Sequence, residues 1–392
     1  MRIALVVEQV DRCRGGAETS VGEFAQHIAA AGVEVCCLTC GGEAGRNGGV
    51  EVRPVWQNTG PRWYRYKKFL EVAATVGRKG QFDLVHAIVP CSAADIYQPR
   101  GGTIPETLAR NLALVKPGFR RVFKRLQQSL TLKQRVMLAA ERQLLAGKRK
   151  PIVACVSGYV ARQVEEHYNM RGPKVRVVFN GVNPDPVDQA QRLHDRETLR
   201  RQWGFDDRTV VFVTVAHNFK LKGVHRFIEA AGLVYRNGHR VGLVVAGKGD
   251  AGPYERLARR RGVADVVRFV GAVPDPWALY HAADACVLAS YYDPCSRVIL
   301  EALTAGLPCV TTRYNGASDV IEEGDNGYVV DTPDDVAGLA DRMTLLLNDL
   351  RRAKLGHSAI RLRDEVSMAR HAREMLVLYE EVARGKVSRV YP

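Results

Sequence analysis

The chain has 392 residues, of which 46% are hydrophobic and 25% are charged, and this composition excludes an intrinsically disordered chain. At ~100–200 residues per domain, the length predicts two domains. Lysine and arginine number 57 against 42 acidic residues, a net charge of +15. The segment 100–150 has 13 basic and two acidic residues, a net of +11 (13 − 2). This excess favours an anionic partner, whether a membrane surface, a phosphorylated substrate or nucleic acid.

Two further features concern the cellular compartment. The apolar stretch after Met1 is shorter than that of a signal peptide and ends at Glu8, so we expect a cytoplasmic protein. No apolar run reaches the ~18–20 residues of a membrane span. The nine cysteines are an odd number and lie mostly inside apolar runs, which predicts buried free thiols. Cys37 and Cys40 have the spacing of a redox or zinc pair, but they lack a second pair or a nearby histidine, so we interpret them as strand-end residues.

The first half of the chain alternates strands with helices. A continuous apolar run at 3–7 is typical of a parallel strand covered on both faces, and an amphipathic helix is predicted at about 19–31. Further strands are predicted at 33–38, 83–89 and 152–156. Turn-forming residues cluster at 180–184, and the charged stretch that follows predicts a connection between two domains.

A second alternating series follows this connection. We predict strands at 210–215, 241–246, 266–269, 285–288 and 309–312, and helices at 223–235 and 297–305. The whole pattern predicts an α/β fold of two doubly wound, Rossmann-like domains facing a central cleft. The predicted bounds are 1–185 for the first domain, 186–366 for the second and 367–392 for a helix that packs back across the hinge. The glycine fingerprint of nicotinamide enzymes is incomplete, which argues against a dehydrogenase.

The strongest chemical signal surrounds the start of one helix in the second half. Asp293 precedes this helix, Ser296 suits its N-cap position, and Glu301 lies two turns inside it. Unsatisfied backbone N–H groups around Ser296, Arg297 and Val298 would form a phosphate site, strengthened by the helix dipole. The two carboxylates could bind sugar hydroxyls. The alternative is that Asp293 only caps the helix and that Glu301 is a solvated surface residue.

These residues resemble the donor-binding signature of retaining glycosyltransferases of family 4, which have the two-domain GT-B fold. Asp293 and Glu301 are separated by seven residues, and Glu301 opens the segment Glu-Ala-Leu-Thr-Ala-Gly-Leu-Pro that ends at residue 308. Other segments that resemble this family lie at 14–18, 156–160, 179–183, 218–223 and 273–289. The segments 219–226 and 298–308 are most similar to those of lipopolysaccharide core glucosyltransferases.

The resemblance implies a UDP-sugar as donor, with no cofactor and no metal ion. It implies that Asp293 holds sugar hydroxyls, that Lys220 and Lys222 bind the diphosphate, and that Glu301 binds the ribose. The backbone at 296–298 would assist the lysines. The sequence has no D-x-D motif clustered with histidine in the cleft segments, so amides and lysines would stabilise the leaving UDP.

The resemblance also assigns residues around the reacting sugar. Gly15 and Gly16 have no Cβ and would let the backbone approach the sugar phosphate closely, although a plain turn between strand and helix is the alternative. Gly247 and Val273 would lie on the nucleobase side. The catalytic candidates are Asp293, Arg100, which stands near the point where many relatives have a histidine beside the reacting sugar, and Asp95 as an acceptor-side polar group.

One stretch of the basic segment has the pattern of an interfacial amphipathic helix. Its apolar face consists of Phe119, Val122, Phe123, Leu126 and Leu130, and its basic face of Arg120, Arg121, Lys124 and Arg125. The resemblance implies that this region docks on the anionic inner membrane. We expect the cations to face lipid, while the apolar face could pack on its own domain. Nucleic acid is not an expected partner, because no aromatic residues are interleaved with the cations.

The predicted function is therefore metal-independent transfer of a hexose, glucose by the closer resemblance, with retention of configuration. The donor is a UDP-sugar, and the acceptor is a lipid-linked or lipopolysaccharide-core saccharide at the cytoplasmic membrane face. Two other functions remain open from the sequence. They are a UDP-sugar epimerase of the same fold and a non-catalytic, membrane-associated scaffold.

Overall fold

The computed structural model describes residues 1–9, 16–57, 59–115, 118–186 and 188–390. The chain forms two compact units, one made of residues 1–181 together with those from 368 onward, and the other made of residues 182–367. The sequence places these boundaries after residues 185 and 366 instead. The sheet of the first unit is mostly parallel and that of the second is fully parallel, and the strands alternate with helices, so the predicted α/β class with two Rossmann-like domains is confirmed.

The first unit contains an eight-stranded sheet in its described part. The strand order is β3–β4–β2–β1–β5–β6–β7–β8, and all neighbours are parallel except β3 and β4. Six α-helices accompany these strands among the described residues before β8. The strands are β1 Arg2–Val6, β2 Glu34–Cys40, β3 Gly45–Asn47, β4 Val50–Trp56, β5 Leu84–Ala87, β6 Ile96–Tyr97, β7 Ile152–Cys155 and β8 Val175–Val177. The helices are α1 Gly16–Ala30, α2 Arg62–Gly77, α3 Ile104–Ala113, α4 Phe119–Leu130, α5 Leu132–Ala146 and α6 Gly158–Tyr168.

The second unit contains a six-stranded, fully parallel sheet in the order β11–β10–β9–β12–β13–β14. Its strands are β9 Val210–Val215, β10 Val241–Ala246, β11 Val267–Gly271, β12 Ala285–Leu288, β13 Cys309–Thr312 and β14 Gly327–Val330. Its helices are α7 Gln189–Trp203, α8 Val224–Arg236, α9 Gly252–Arg261, α10 Trp277–Ala282, α11 Arg297–Thr304, α12 Val336–Leu345 and α13 Asp349–Ile360. β9, β10 and β12 are almost entirely buried, as expected for strands covered on both faces.

The last helix, α14 at Met368–Val390, follows the second unit in the chain but belongs to the first. Met368, Met375 and Tyr379 are fully buried, in one cluster with Leu5 of β1 and Phe24 of α1. Burying a side chain of this size contributes about 1.5–3 kcal/mol. The helix is therefore part of the core of the first unit.

Two sequence-based expectations concern the chemistry of the whole chain. The eight cysteines within the described ranges are buried free thiols, and Cys37 and Cys40 both lie in β2. Burial raises the pKa of Cys37 to about 12, so this thiol stays protonated. None of the helices in these ranges combines the length and the apolarity that crossing a bilayer requires.

Candidate functional site

The candidate site lies at the carboxyl edge of the second sheet. The strand order reverses between β9 and β12, because β10 and β11 lie on one side of β9 and the later strands on the other. Open α/β sheets bind ligands at this reversal, outside the carboxyl ends of the strands. The loops that leave this edge after β9, β10, β12 and β13 are 216–223, 247–251, 289–296 and 313–315.

Two glycines allow these loops to pack closely. Gly223 has φ 68°, and a Cβ at this position would lie 1.9 Å from the carbonyl oxygen of Ala289. Gly247 has φ 137°, and a Cβ there would lie 1.7 Å from the carbonyl oxygen of Ala216. No residue with a side chain fits at either position without moving the backbone. The loops after β9, β10 and β12 therefore form a rigid rim.

An ion pair joins the two loops that flank the reversal. The Nζ atom of Lys222 contacts the Oδ2 atom of Asp293, and the two side chains are 21% and 12% exposed. The backbone N–H of Asp293 donates to Tyr314 at 2.8 Å, and its carbonyl accepts from Gly316 at 2.8 Å. The structure thus brings two predicted donor residues together across two neighbouring loops. Asp293 does not merely cap α11, because its carboxylate faces Lys222.

The amino end of α11 differs from the expectation. Ser296 is the N-cap residue, but its backbone N–H donates to Oδ1 of Asn315 at 3.1 Å and is therefore not available to a phosphate. The same oxygen accepts from the N–H of Ala317 at 3.1 Å, and the Asn315 amide donates to Thr311 at 2.9 Å. Asn315 is fully buried. No sequence motif marks Asn315 as a partner of Ser296, because the two residues are nineteen positions apart along the chain.

Glu301 and Arg297 form a second ion pair on α11. Nε and Nη2 of Arg297 lie 3.2 and 3.1 Å from Oε1 of Glu301, and the hydroxyl of Tyr280 donates to Oε2 at 3.1 Å. Glu301 is 8% exposed, so the alternative of a solvated surface residue is wrong. Burial, together with the Glu301 carboxylate, raises the pKa of Tyr280 well above its ordinary value, and Tyr280 remains a donor.

A hydrogen-bonded cluster that the sequence did not indicate supports the loop after β12. The hydroxyl of Tyr291 donates to Asp334 at 2.6 Å and accepts from Nε of Arg226 at 3.0 Å, and Arg226 also pairs with Asp334. The N–H of Tyr291 donates to the carbonyl of Leu221 at 2.9 Å. Burial, with the nearby Arg226 cation, lowers the pKa of His225 to about 4, so this imidazole is neutral where it stacks on Tyr291.

Of the other residues predicted to bind the donor, three lie in the second unit, one lies in the first unit and one lies outside the described residues. Lys220 is exposed in the loop after β9, Val298 is half-buried in the first turn of α11, and Val273 is half-buried two positions after β11. Gly16 is the first residue of α1, and Gly15 lies outside the described residues.

In the first unit, Arg100 lies at the carboxyl end of β6 inside a buried network. It is 8% exposed and donates to Gln98 at 2.8 Å, to Ser20 at 2.5 Å and to Nε2 of His371 at 2.8 Å. The guanidinium lies 5.2 Å from the ring centre of Phe24. Burial and the Arg100 cation hold the pKa of His371 well below its ordinary value, so His371 accepts as a neutral imidazole.

Asp95 lies at the opposite end of β6, and the expected acceptor-side role does not fit this position. Its carboxylate accepts from the N–H of Val85 at 2.9 Å and from Arg149 at 3.1 Å, and the side chain is 6% exposed. Because ligands bind at the carboxyl ends of parallel strands, a carboxylate at an amino end fixes the sheet instead. We therefore assign Asp95 a structural role in place of the acceptor-side role.

The amphipathic helix α4 is oriented differently from the expectation. Its apolar face is exposed, with exposed fractions of 84% for Phe119, 57% for Val122, 61% for Phe123 and 56% for Leu126. Of the predicted membrane-facing cations, Arg125 is exposed, whereas Arg121 and Lys124 are half-buried and Lys124 donates to the carbonyl of Asn111 at 2.7 Å. The side chains of Arg120 and Leu130 lie outside the described part. The apolar residues, and not the full set of cations, form the outward surface.

Comparison with known proteins identifies the family. The family model "Glycosyltransferase Family 4" matches residues 14–186, and "Glycosyl transferases group 1" matches residues 195–361. The chain belongs to glycosyltransferase family 4. The second match contains the whole carboxyl-edge site, including Lys222, Asp293 and Glu301. The resemblance found in the sequence is thereby confirmed.

Individual relatives agree with this family. The chain is 31% identical over 206 residues to the lipopolysaccharide glucosyltransferase WaaG of Escherichia coli K12, covering 52% of this chain and 55% of WaaG. It is 33% identical over 196 residues to an uncharacterized glycosyltransferase of Methanocaldococcus jannaschii, covering 49% and 50%. The aligned segments thus span about half the length of these curated relatives.

Solved structures extend the likeness over the whole fold. A crystal structure of WaaG matches with a TM-score of 0.78 at 22% identity, covering 95% of this chain and 98% of WaaG. The Anabaena protein HepE, in complex with UDP and glucose, matches with a TM-score of 0.69 at 17% identity, covering 97% and 100%. At these identities the likeness is one of fold, and it confirms the GT-B fold.

Proposed function

We propose that the protein transfers a hexose, glucose in the first place, from a UDP-sugar to a lipid-linked or lipopolysaccharide-core acceptor at the cytoplasmic face of the membrane. The observation that carries the donor part is the Lys222–Asp293 pair at the strand-order reversal, beside the amino end of α11. Two similar proteins support the substrate classes. WaaG is a lipopolysaccharide glucosyltransferase, and the HepE crystal contains UDP and glucose.

The ammonium and the carboxylate of this site would bind different parts of a nucleotide sugar. The ammonium of Lys222 would bind phosphate oxygens, with exposed Lys220 as a second cation. The Asp293 carboxylate would accept from sugar hydroxyls. The amino end of α11 adds a positive dipole next to both groups. Arg297 and Val298 lie in the first turn of this helix, whereas the N–H of Ser296 already has a partner.

Glu301 suits the ribose because its carboxylate is held in a fixed orientation. Arg297 contacts one oxygen and Tyr280 the other. The fixed orientation would reduce the entropy lost on binding.

The proposed reaction keeps the configuration at the anomeric carbon. The acceptor hydroxyl oxygen forms its bond to this carbon on the face from which the UDP oxygen departs, and the acceptor proton passes to the departing phosphate oxygen. Negative charge develops on UDP in this step. Lys222 and the amino end of α11 are fixed before the reaction and would stabilise that charge. We therefore propose that no metal ion is needed.

Helix α4 would bring the enzyme to its lipid-linked acceptor. An exposed stripe of two phenylalanines, a valine and a leucine would insert into the interface between headgroups and acyl chains. Arg125 and the other basic residues of the segment 100–150 would add ~1 kcal/mol per cation near an anionic surface. Together the apolar insertion and the electrostatic attraction would bind the protein reversibly to the membrane surface.

The test is UDP release by the purified protein from a panel of UDP- and GDP-hexoses, with and without lipid-linked saccharide extracted from a Gram-negative inner membrane. We expect turnover with a UDP-hexose, dependence on the saccharide, unchanged rates in EDTA, and an α-linked product by NMR. Conversion of the UDP-sugar without acceptor would favour an epimerase instead. Failure of calorimetry to detect any UDP-sugar binding would favour a non-catalytic scaffold.

A further inference from the structure

Tyr291 connects the two loops that carry Lys222 and Asp293. It lies two positions before Asp293 along the chain. Its backbone N–H donates to the carbonyl oxygen of Leu221, the residue before Lys222, at 2.9 Å. A displacement of Tyr291 would therefore reach Asp293 over two residues, and the neighbour of Lys222 over one hydrogen bond.

The hydroxyl of Tyr291 ties this loop to two other elements of the second unit. It donates to Asp334, in the turn before α12, at 2.6 Å, and it accepts from Nε of Arg226 on α8 at 3.0 Å. Nε2 of His225 lies 3.2 Å from the same oxygen, and the imidazole stacks on the phenol ring with 9° between the two planes. The side chain of Tyr291 is thus fixed through both its ring and its hydroxyl.

The charges of these groups favour a strong anchor at neutral pH. Burial, together with the hydrogen bond to Asp334, raises the pKa of Tyr291 to about 12, so the phenol remains a donor. Burial opposes the ionisation of Asp334, but the hydrogen bonds from Tyr291 and Arg226 hold its pKa below the ordinary value. The acceptor is therefore a carboxylate, and hydrogen bonds to ionised groups are stronger than those between neutral groups.

Tyr291 complements the contacts that hold Asp293 from the side of β13. The backbone N–H of Asp293 donates to Tyr314, and its carbonyl accepts from Gly316, both in the segment after β13. In the sheet, β12 lies between β13 and β9, and α8 follows β9. The hydroxyl of Tyr291 therefore holds the loop 289–296 from the other side. A misplacement of ~1 Å in a reacting complex can cost about 10²-fold in rate, so fixing the loop on both sides has a functional consequence.

We propose that Tyr291 is a positioning residue for the donor, whose hydroxyl holds the loop 289–296 so that the Asp293 carboxylate meets both Lys222 and the hydroxyls of the hexose. This inference rests on the proposed function, in which Asp293 binds the sugar and Lys222 the diphosphate. Tyr291 does not contact the donor itself and acts through Asp293. Its hydroxyl should therefore matter more for binding of a nucleotide sugar than for binding of the nucleotide alone.

The test is calorimetric titration of the full chain with UDP and with UDP-glucose. Tyr291→Phe keeps the ring that stacks on His225 and the backbone N–H, so the change removes the hydroxyl alone. We expect the affinity for UDP-glucose to fall about tenfold and that for UDP by less than about threefold, since Lys222 stays in its own loop. Tyr235→Phe, which changes an exposed tyrosine at the other end of α8, should alter neither affinity.

Action through Asp293 is tested in an Asp293→Ala background, where the carboxylate to be positioned is absent. There Tyr291→Phe should leave the affinity for UDP-glucose unchanged. It should also lower Tm by less than it does in the wild type, because no ion pair remains to be disturbed. A role in folding alone would give equal losses in both backgrounds. Asp334→Asn, which still accepts the hydrogen bond of the hydroxyl, should retain more affinity for UDP-glucose than Asp334→Ala.

Wild-type affinity for UDP-glucose in Tyr291→Phe would overturn the proposal, as would equal losses of affinity for UDP and UDP-glucose. Equal losses of Tm with and without the Asp293 carboxylate would overturn it too, and this comparison needs no ligand. Absence of UDP-glucose binding in the wild type would refute the proposed donor instead. The Tm comparison would then still decide whether Tyr291 is coupled to the ion pair.

Discussion

The Lys222–Asp293 ion pair allows its contributions to stability and to turnover to be separated. Lys222→Ala removes the fixed ammonium that we assign to the diphosphate. Removing one preorganised group that stabilises developing charge lowers kcat by about 10²–10³. The same change leaves the Asp293 carboxylate, 12% exposed, without its lysine. We therefore expect both turnover and stability to fall.

The expected loss of stability follows from the exposure of the pair. Removing one partner of a fully buried pair costs about 3–5 kcal/mol. The two side chains here are 21% and 12% exposed, so water screens part of the charge of the unpaired carboxylate. The loss of stability should therefore be about 2 kcal/mol. For a unit of this size, that lowers Tm by about 4–8 °C. Circular dichroism on heating measures it, and UDP release at saturating UDP-glucose measures turnover.

A second substitution separates the two effects. In the double variant Lys222→Ala/Asp293→Asn the uncompensated charge is gone, so Tm should return close to the wild-type value while turnover stays low. Lys354→Ala, an exposed lysine on α13, is the matched control and should change neither quantity. Wild-type turnover in Lys222→Ala, or its recovery in the double variant, would refute the assignment of Lys222 to the diphosphate.

Three further predictions concern the rim, the ribose and the membrane. Gly223→Ala should lower the free energy of unfolding by more than Gly262→Ala. Both glycines have a positive φ, which costs an alanine ~1 kcal/mol, but a Cβ at residue 262 would meet no atom within 4 Å. Equal losses of Tm in the two variants would contradict the close approach of Gly223 to Ala289. Glu301→Gln should raise KM for the UDP-sugar about tenfold with kcat little changed, and a fall in kcat alone would exclude simple ribose binding. Phe123→Glu should abolish flotation with phosphatidylglycerol vesicles while UDP binding by calorimetry persists, and unchanged flotation would rule out the exposed stripe as the anchor.

The sequence is sufficient to predict those elements whose structure depends on the local pattern of residues. The apolar run of β1 and the buried strands of the second unit follow from composition, since a strand covered on both faces must be continuously apolar. Asp293 and Lys222 were both identified from short motifs, and the structure brings them together although they are seventy-one positions apart. Their pairing depends on strand order, which the motifs alone do not specify.

The expectations that failed depended on contacts distant in sequence. Asn315 takes the N–H of Ser296 because the loop after β13 lies beside α11, and no local feature marks this. Asp95 was misassigned because β6 has only two residues, too few for a pattern that shows which end of the strand Asp95 occupies. The period of α4 identifies two faces correctly, but it does not say which one the rest of the unit covers.

The path of α14 has a consequence for synthesis on the ribosome. The second unit is continuous in sequence and has all of its strands once residue 367 has emerged. The first unit still lacks Met368, Met375 and Tyr379 of its core at that time. Nascent chains arrested before α14 should thus contain a protease-resistant second unit beside an unfinished first one, so the half that is translated first is completed last.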